Sequence, residues 1–521
     1  MRYLLALMGL CCATACAQEK LLWGSLQPGP YAVGFQSRYD VDPTREYDPE
    51  YPLQPGAPRS KKPRPIFIAW WYPAKKSAAT TLAYRDYLTE HGPAPAAAEF
   101  ARRLAAYNRD VTCSEIVGKD VEEELSTADQ NACDSFLATP TYAVRDAQPA
   151  GGQFPVVVYH AGLSGSYEDN AVLCEFLASQ GYVVLATAYA NADATHPAIS
   201  WDLSTTFADT AFLMRFAATL PFTDMSRLAA VGHSFGAQAS LAWHAEPNSP
   251  LDAVAALDTT VEYGTLDWPG FAPLKLQLTQ GRNGTAPVLL FASRASNPRF
   301  ETFDTYLRYA PRYEAMVDFL EHHDYISHGA IGKTLRLDRA RGEAVRRSYD
   351  QVCVHVWKFL DAYVKHDAAA LAWLEQGTRA GSPDDTFQLR FKPARPAPPT
   401  GRQIVSMLDR QGAAKTRELL ARVEADLDRD TLLIAGKALS DGLRLQQAVT
   451  VYTWATEIFP NSVQVHQALG DALRNESAAK AKEVYAKALQ LVDSDPDLSD
   501  PERVDARGEI QDALDTLERE Q

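Results

Sequence analysis

Leu228-Ala229-Ala230-Val231-Gly232-His233-Ser234-Phe235-Gly236 leads an apolar run through a serine framed by two glycines into the helix-forming stretch 237–244. A strand, a sharp turn and a helix in that order form a nucleophile elbow. The glycines permit a turn too tight for a Cβ, and the helix start aims backbone N–H groups at negative charge developing beside the serine.

Working outward, short apolar runs at 156–159, 183–187, 228–231, 253–257, 288–292 and 315–320 alternate with longer amphipathic segments. That rhythm predicts an α/β fold, a mostly parallel sheet flanked by crossover helices. Residues 66–72, aromatic and β-rich, supply an earlier strand at the antiparallel edge of the sheet. Residues 82–146 lose the pattern and read as an insertion near the site, in the place of a lid or a structural excursion.

A serine hydroxyl attacks only when a base removes its proton, and in this fold the order along the chain is Ser, then Asp or Glu, then His. The run 315–320 leads into Glu321-His322-His323-Asp324-Tyr325, which makes His322 the candidate base, with His323 its rival. Asp258, directly after the run 253–257, is the candidate acid; Glu301 and Asp304 are fallbacks. His160-Ala161-Gly162-Leu163-Ser164-Gly165 follows the run 156–159, so the N–H groups of Leu163 and Phe235 are the expected oxyanion donors. His322, His323, Asp324 and His328 also imitate metal ligands. No second cluster completes a site, so neither metal nor cofactor is expected.

These residues, together with Gly29-Pro30-Tyr31-Ala32-Val33-Gly34 and Trp71-Tyr72-Pro73-Ala74, give the chain a resemblance to the α/β-hydrolase superfamily. Its platelet-activating-factor acetylhydrolase-like and dienelactone hydrolase-like branch is the part resembled, over roughly residues 29–364. The branch places its acid after the strand following the nucleophile, which supports Asp258, and its histidine three residues before an aromatic, which pairs His322 with Tyr325. His160-Ala161-Gly162 departs from the more usual Ser-His-Gly. The resemblance implies a serine carboxylic-ester hydrolase acting through an acyl-enzyme on short-chain, small or oxidised acyl esters, lipid-like esters included. A peptidase or thioesterase would use the same three residues.

Pro393, Pro396, Pro398 and Pro399 mark a linker at 391–402 between a catalytic domain, 18–390, and a helical domain, 403–521. In the latter, Gly436, Ala448, Tyr452, Ala455 and Pro460 recur as Gly470, Ala481, Tyr485, Ala488 and Pro496, an offset of about 34 residues. The period resembles tetratricopeptide helix pairs, with a helix near 405–425 before them and a capping helix near 501–519. An array of that kind would take a protein or peptide partner, and a non-catalytic interaction protein is the rival reading of the whole chain.

Composition narrows the partners. A net charge of −15 disfavours nucleic acid, whose phosphates recruit basic patches. Residues 1–17 read as an export signal: Arg2, an apolar core at 4–10, and Ala15-Cys16-Ala17 before Gln18. The mature chain is then secreted or periplasmic without an integral membrane segment, or lipid-anchored through Cys16. It keeps Cys113, Cys133, Cys174 and Cys353. The first two are either a staple across a loop-like segment or free thiols, and Cys174 reads as a small core residue.

Overall fold

The computed structural model describes residues 22–47, 62–88, 97–191, 198–199, 201–246, 249–264, 272–280, 284–380, 387–474 and 476–519. The expected export signal and Cys16 lie outside these. The chain divides into two units, one ending at Arg395 and one starting at Pro396.

Among the described residues of the first unit, ten strands form one sheet: β1 (Ala32–Tyr47), β2 (Lys62–Ala74), β3 (Ala143–Arg145), β4 (Phe154–His160), β5 (Val183–Thr187), β6 (Thr223–His233), β7 (Ala253–Leu257), β8 (Val288–Ser293), β9 (Arg312–Val317) and β10 (Phe387–Lys392). Their order is β10-β9-β8-β7-β6-β4-β5-β2-β1-β3. The strands from β5 to β9 pair in parallel, and β2 and β10 pair antiparallel with their inner neighbours. This is an α/β-hydrolase fold.

Strand alternation explains why the central runs are apolar at every position. Val157, Val184, Ala229, Ala255 and Leu289 face one layer, containing the helices Ala171–Ser179 and Arg339–Tyr363; Val158, Val183, Ala230, Val254 and Leu290 face the other, containing Leu203–Ala217 and Phe235–His244. With both sheet faces covered, neither position of the two-residue period tolerates a polar side chain. Cys174 and Cys353 are free thiols buried in the first layer.

Three expectations differ from the structure, and one strand goes beyond them. β2 lies inside the sheet, between β5 and β1, and the edge belongs to β1 and β3. β1 carries no apolar strand pattern, because Pro43 and five charged residues interrupt it. The last parallel strand is Arg312–Val317, three residues earlier than its apolar run: Phe319 takes a φ of 65° and is more than half exposed, whereas Glu314 is fully buried. Ion pairs from Glu314 to Arg390 at 3.2 Å and Lys392 at 3.6 Å explain how β9 carries charge. These belong to β10, which occupies the first two residues of the expected linker, while Gly401 already opens a helix.

The insertion is ordered as helices Ala98–Val117 and Thr127–Leu137 and as β3. Cys113 and Cys133 form a disulfide joining the two helices, so the staple ties secondary structure rather than a loop.

The second unit contains helices Gly401–Ala421, Arg429–Asp441, Leu445–Ile458, Val463–Leu473, Ala478–Leu491 and Asp500–Arg519 around its own apolar core. The first breaks at Gly412, whose φ is 79°, instead of running unbroken to 425. Gly436 packs against the Tyr452 ring and Gly470 against the Tyr485 ring. A Cβ on either glycine would lie 2.3 and 2.6 Å from ring carbons. No helix among the described residues is long and apolar enough to cross a membrane.

Candidate active site

Ser234 sits between the end of β6 and the helix Phe235–His244 with φ 53° and ψ −120°. The flanking glycines are required by packing. A Cβ on Gly232 would lie 2.2 Å from the Gly236 backbone, and one on Gly236 would lie 2.0 Å from the His160 carbonyl oxygen. The Ser234 N–H donates to the Leu257 carbonyl at 3.0 Å, and the Asp258 N–H to that of Phe291, also at 3.0 Å. Adjacent parallel strands thus present Ser234 and Asp258 at the same sheet edge.

The expected base lies between them. His322 Nε2 is 2.9 Å from Ser234 Oγ, and its Nδ1 is 2.5 Å from Asp258 Oδ2. His323 turns instead to Glu115, with Nδ1 2.6 Å from Oε1. Of the fallback acids, Asp304 pairs with Arg312 and Lys392 at the β9–β10 edge, and Glu301 is exposed in the turn Phe300–Thr302. The four residues that imitate metal ligands face different partners: Asp258 for His322, Glu115 for His323, Lys333 for Asp324 and Tyr84 for His328.

The loop after β4 approaches the elbow closely. A Cβ on Gly162 would lie 3.1 Å from Ser234 Cβ. Ser164 holds the loop through its N–H to the Ile199 carbonyl at 3.3 Å and its carbonyl to the Tyr107 hydroxyl at 2.6 Å. Among the described residues neither the Leu163 nor the Phe235 N–H meets a backbone acceptor. His160 is buried against Tyr189 with ring centroids 3.7 Å apart, and burial pushes its imidazole down to about 4, so it is neutral.

Several supporting residues carry no motif. His233, inside the elbow, donates from Nε2 to the His322 carbonyl at 2.8 Å, and burial keeps its ring uncharged. Tyr263 donates to Asp258 Oδ1 and accepts from the Ser293 N–H at 2.8 Å. Its place in the turn following Asp258 is the one signal that could have found it. Glu115 comes from the insertion, and nothing near the elbow announces it. A cleft of about 960 Å³ exposes Ser234 and His322 and is walled partly by Val111, Ser114 and Glu115 of that insertion.

Glu262 is buried near Asp258 and accepts the Thr259 hydroxyl. Burial first, then the Asp258 charge, push its carboxyl from 4.5 up to about 8. The folded state therefore keeps this proton after the unfolded chain has released it. Its contribution is full below 4.5, declines as pH rises towards about 8, and levels off above. Glu168 and Glu175 act with the same sign. Glu262→Gln should therefore reduce, without abolishing, the fall in the urea midpoint between about pH 5 and 8. Parallel midpoint curves for wild type and variant would show Glu262 to be ionised throughout.

No family model matches this sequence, and no curated protein does. The chain is similar in structure to a ferulic acid esterase from Streptomyces cinnamoneus, at 17% identity and a TM-score of 0.47, over 70% of this chain and 98% of that one.

Proposed function

We propose that the protein is a secreted serine carboxylic-ester hydrolase of the acetylhydrolase-like and dienelactone hydrolase-like branch, with Ser234, His322 and Asp258 as its triad. The observation that carries this reading is the continuous relay from Ser234 Oγ through His322 to Asp258, at 2.9 and 2.5 Å, at one sheet edge. His322 takes the Ser234 proton as Oγ attacks the ester carbonyl. The tetrahedral oxyanion collects the Leu163 and Phe235 N–H groups. His322 then protonates the leaving alcohol, and in the second half-reaction activates the water that releases the acid. Asp258 sets the imidazole tautomer and stabilises the imidazolium.

The disulfide between Cys113 and Cys133 supports an oxidising compartment. The repeated glycine–tyrosine packing supports reading the second unit as a tetratricopeptide-like module that takes a protein or peptide partner.

The test is hydrolysis of chromogenic acyl esters from acetyl to long chain. Turnover should be highest on the short chains. A folded protein that turns over none of them, and resists labelling at Ser234 by an organophosphate, would overturn the esterase reading.

A further inference from the structure

Of the groups that the relay above leaves unused, the pair formed by exposed His323 and partly buried Glu115 has the most direct route to it. His323 follows the candidate base, and the turn holding both, His322–Tyr325, is held by specific contacts. His233 grips the His322 carbonyl, Asp324 accepts from the Glu321 N–H at 2.6 Å, and Lys333 pairs with Asp324 at 2.6 Å. The insertion supplies the remaining anchor through Glu115.

That anchor is not a lone surface contact. Arg336, in the helix Ser327–Arg336 that follows the turn, donates to the Glu115 and Ile116 carbonyls at 2.8 and 2.9 Å. These are among the last carbonyls of the helix Ala98–Val117, which lack acceptable intrahelical donors. A Cβ on Gly332 would lie 2.4 Å from the Glu115 oxygen, so the helix end is seated directly on the helix behind the histidine turn. The disulfide at Cys113 fixes the same helix end to its neighbour.

We propose that Glu115 is a positioning residue: by holding His323 it orients His322 towards Ser234, which makes the insertion a fixed part of the catalytic apparatus instead of a lid. The inference rests on the triad reading given above. It predicts that Glu115 acts on turnover, identically for every acyl chain, and only through His323.

The experiment measures kcat and KM on acetyl and longer acyl esters for Glu115→Ala, His323→Ala, the double variant and Ser234→Ala. A pair this close to the surface is worth about 0.5–1 kcal/mol, so kcat should fall about two- to fivefold in Glu115→Ala with KM unchanged. The double variant should be no slower than either single one. Glu115→Gln, which keeps the shape and removes the charge, should fall between wild type and Glu115→Ala. A rise in KM that depends on acyl length would make Glu115 a substrate contact and overturn the proposal, as would additive effects or an unchanged kcat. Turnover surviving in Ser234→Ala would instead remove the triad reading itself.

Discussion

Replacing Ser234 by alanine will lower ester turnover on the order of 10⁴-fold or more while leaving the unfolding midpoint nearly unchanged. The hydroxyl contributes one described hydrogen bond, to His322, and both that imidazole and the cleft remain open to water, so little folding energy depends on it. Its chemical contribution is of another scale. In the mechanism proposed above no acyl-enzyme forms without Oγ, and only ester binding and the proposed Leu163 and Phe235 amides would remain to assist attack by water. The measurement is kcat/KM on a short acyl ester, with mass spectrometry of the organophosphate adduct to locate the labelled residue. Retained turnover would place the chemistry elsewhere.

The second large effect is structural in origin. In Gly236→Ala the new methyl would meet the His160 and Ala161 carbonyl oxygens at 2.0 and 2.5 Å. Both are backbone atoms, which cannot swing aside as a flexible side chain would. Either the helix Phe235–His244 lifts or the loop after β4 shifts, and that loop carries Leu163. We expect a loss of about 3 kcal/mol in unfolding free energy, from overpacking. Activity should fall about a hundredfold or more, because the proposed oxyanion donors, the amides of Leu163 and Phe235, would no longer converge on one oxygen. Gly151→Ala, where the added methyl meets nothing within 4 Å, is the control. Equal activity and stability in the two variants would mean that the elbow relaxes without cost.

The features legible in the sequence were those encoded within a few residues. Ser234 could be read because strand, glycine turn and helix succeed one another without interruption. The placement of Asp258 and His322 near Ser234 was legible because a parallel strand delivers whatever follows it to one edge of the sheet. The strand leading to His322 shows the limit of that reading: it lies three residues earlier than its apolar run, yet the turn that follows still brings His322 to the serine.

What local pattern could not supply were the contacts between distant segments. β10 and the charged start of β9 support each other through ion pairs that neither strand reveals alone. The Cys113–Cys133 bond follows from two helices packing side by side, and the choice between His322 and His323 from which ring faced Ser234 and which faced Glu115. Backbone preference and hydrophobic period act over a single turn or strand, so the sequence by itself determined the order of elements and the identity of the residues at their ends. Burial and electrostatic complementarity act between elements after they dock, so only the tertiary structure decided the partners: Tyr263 for Asp258, His233 for the His322 carbonyl, and Glu115 for His323.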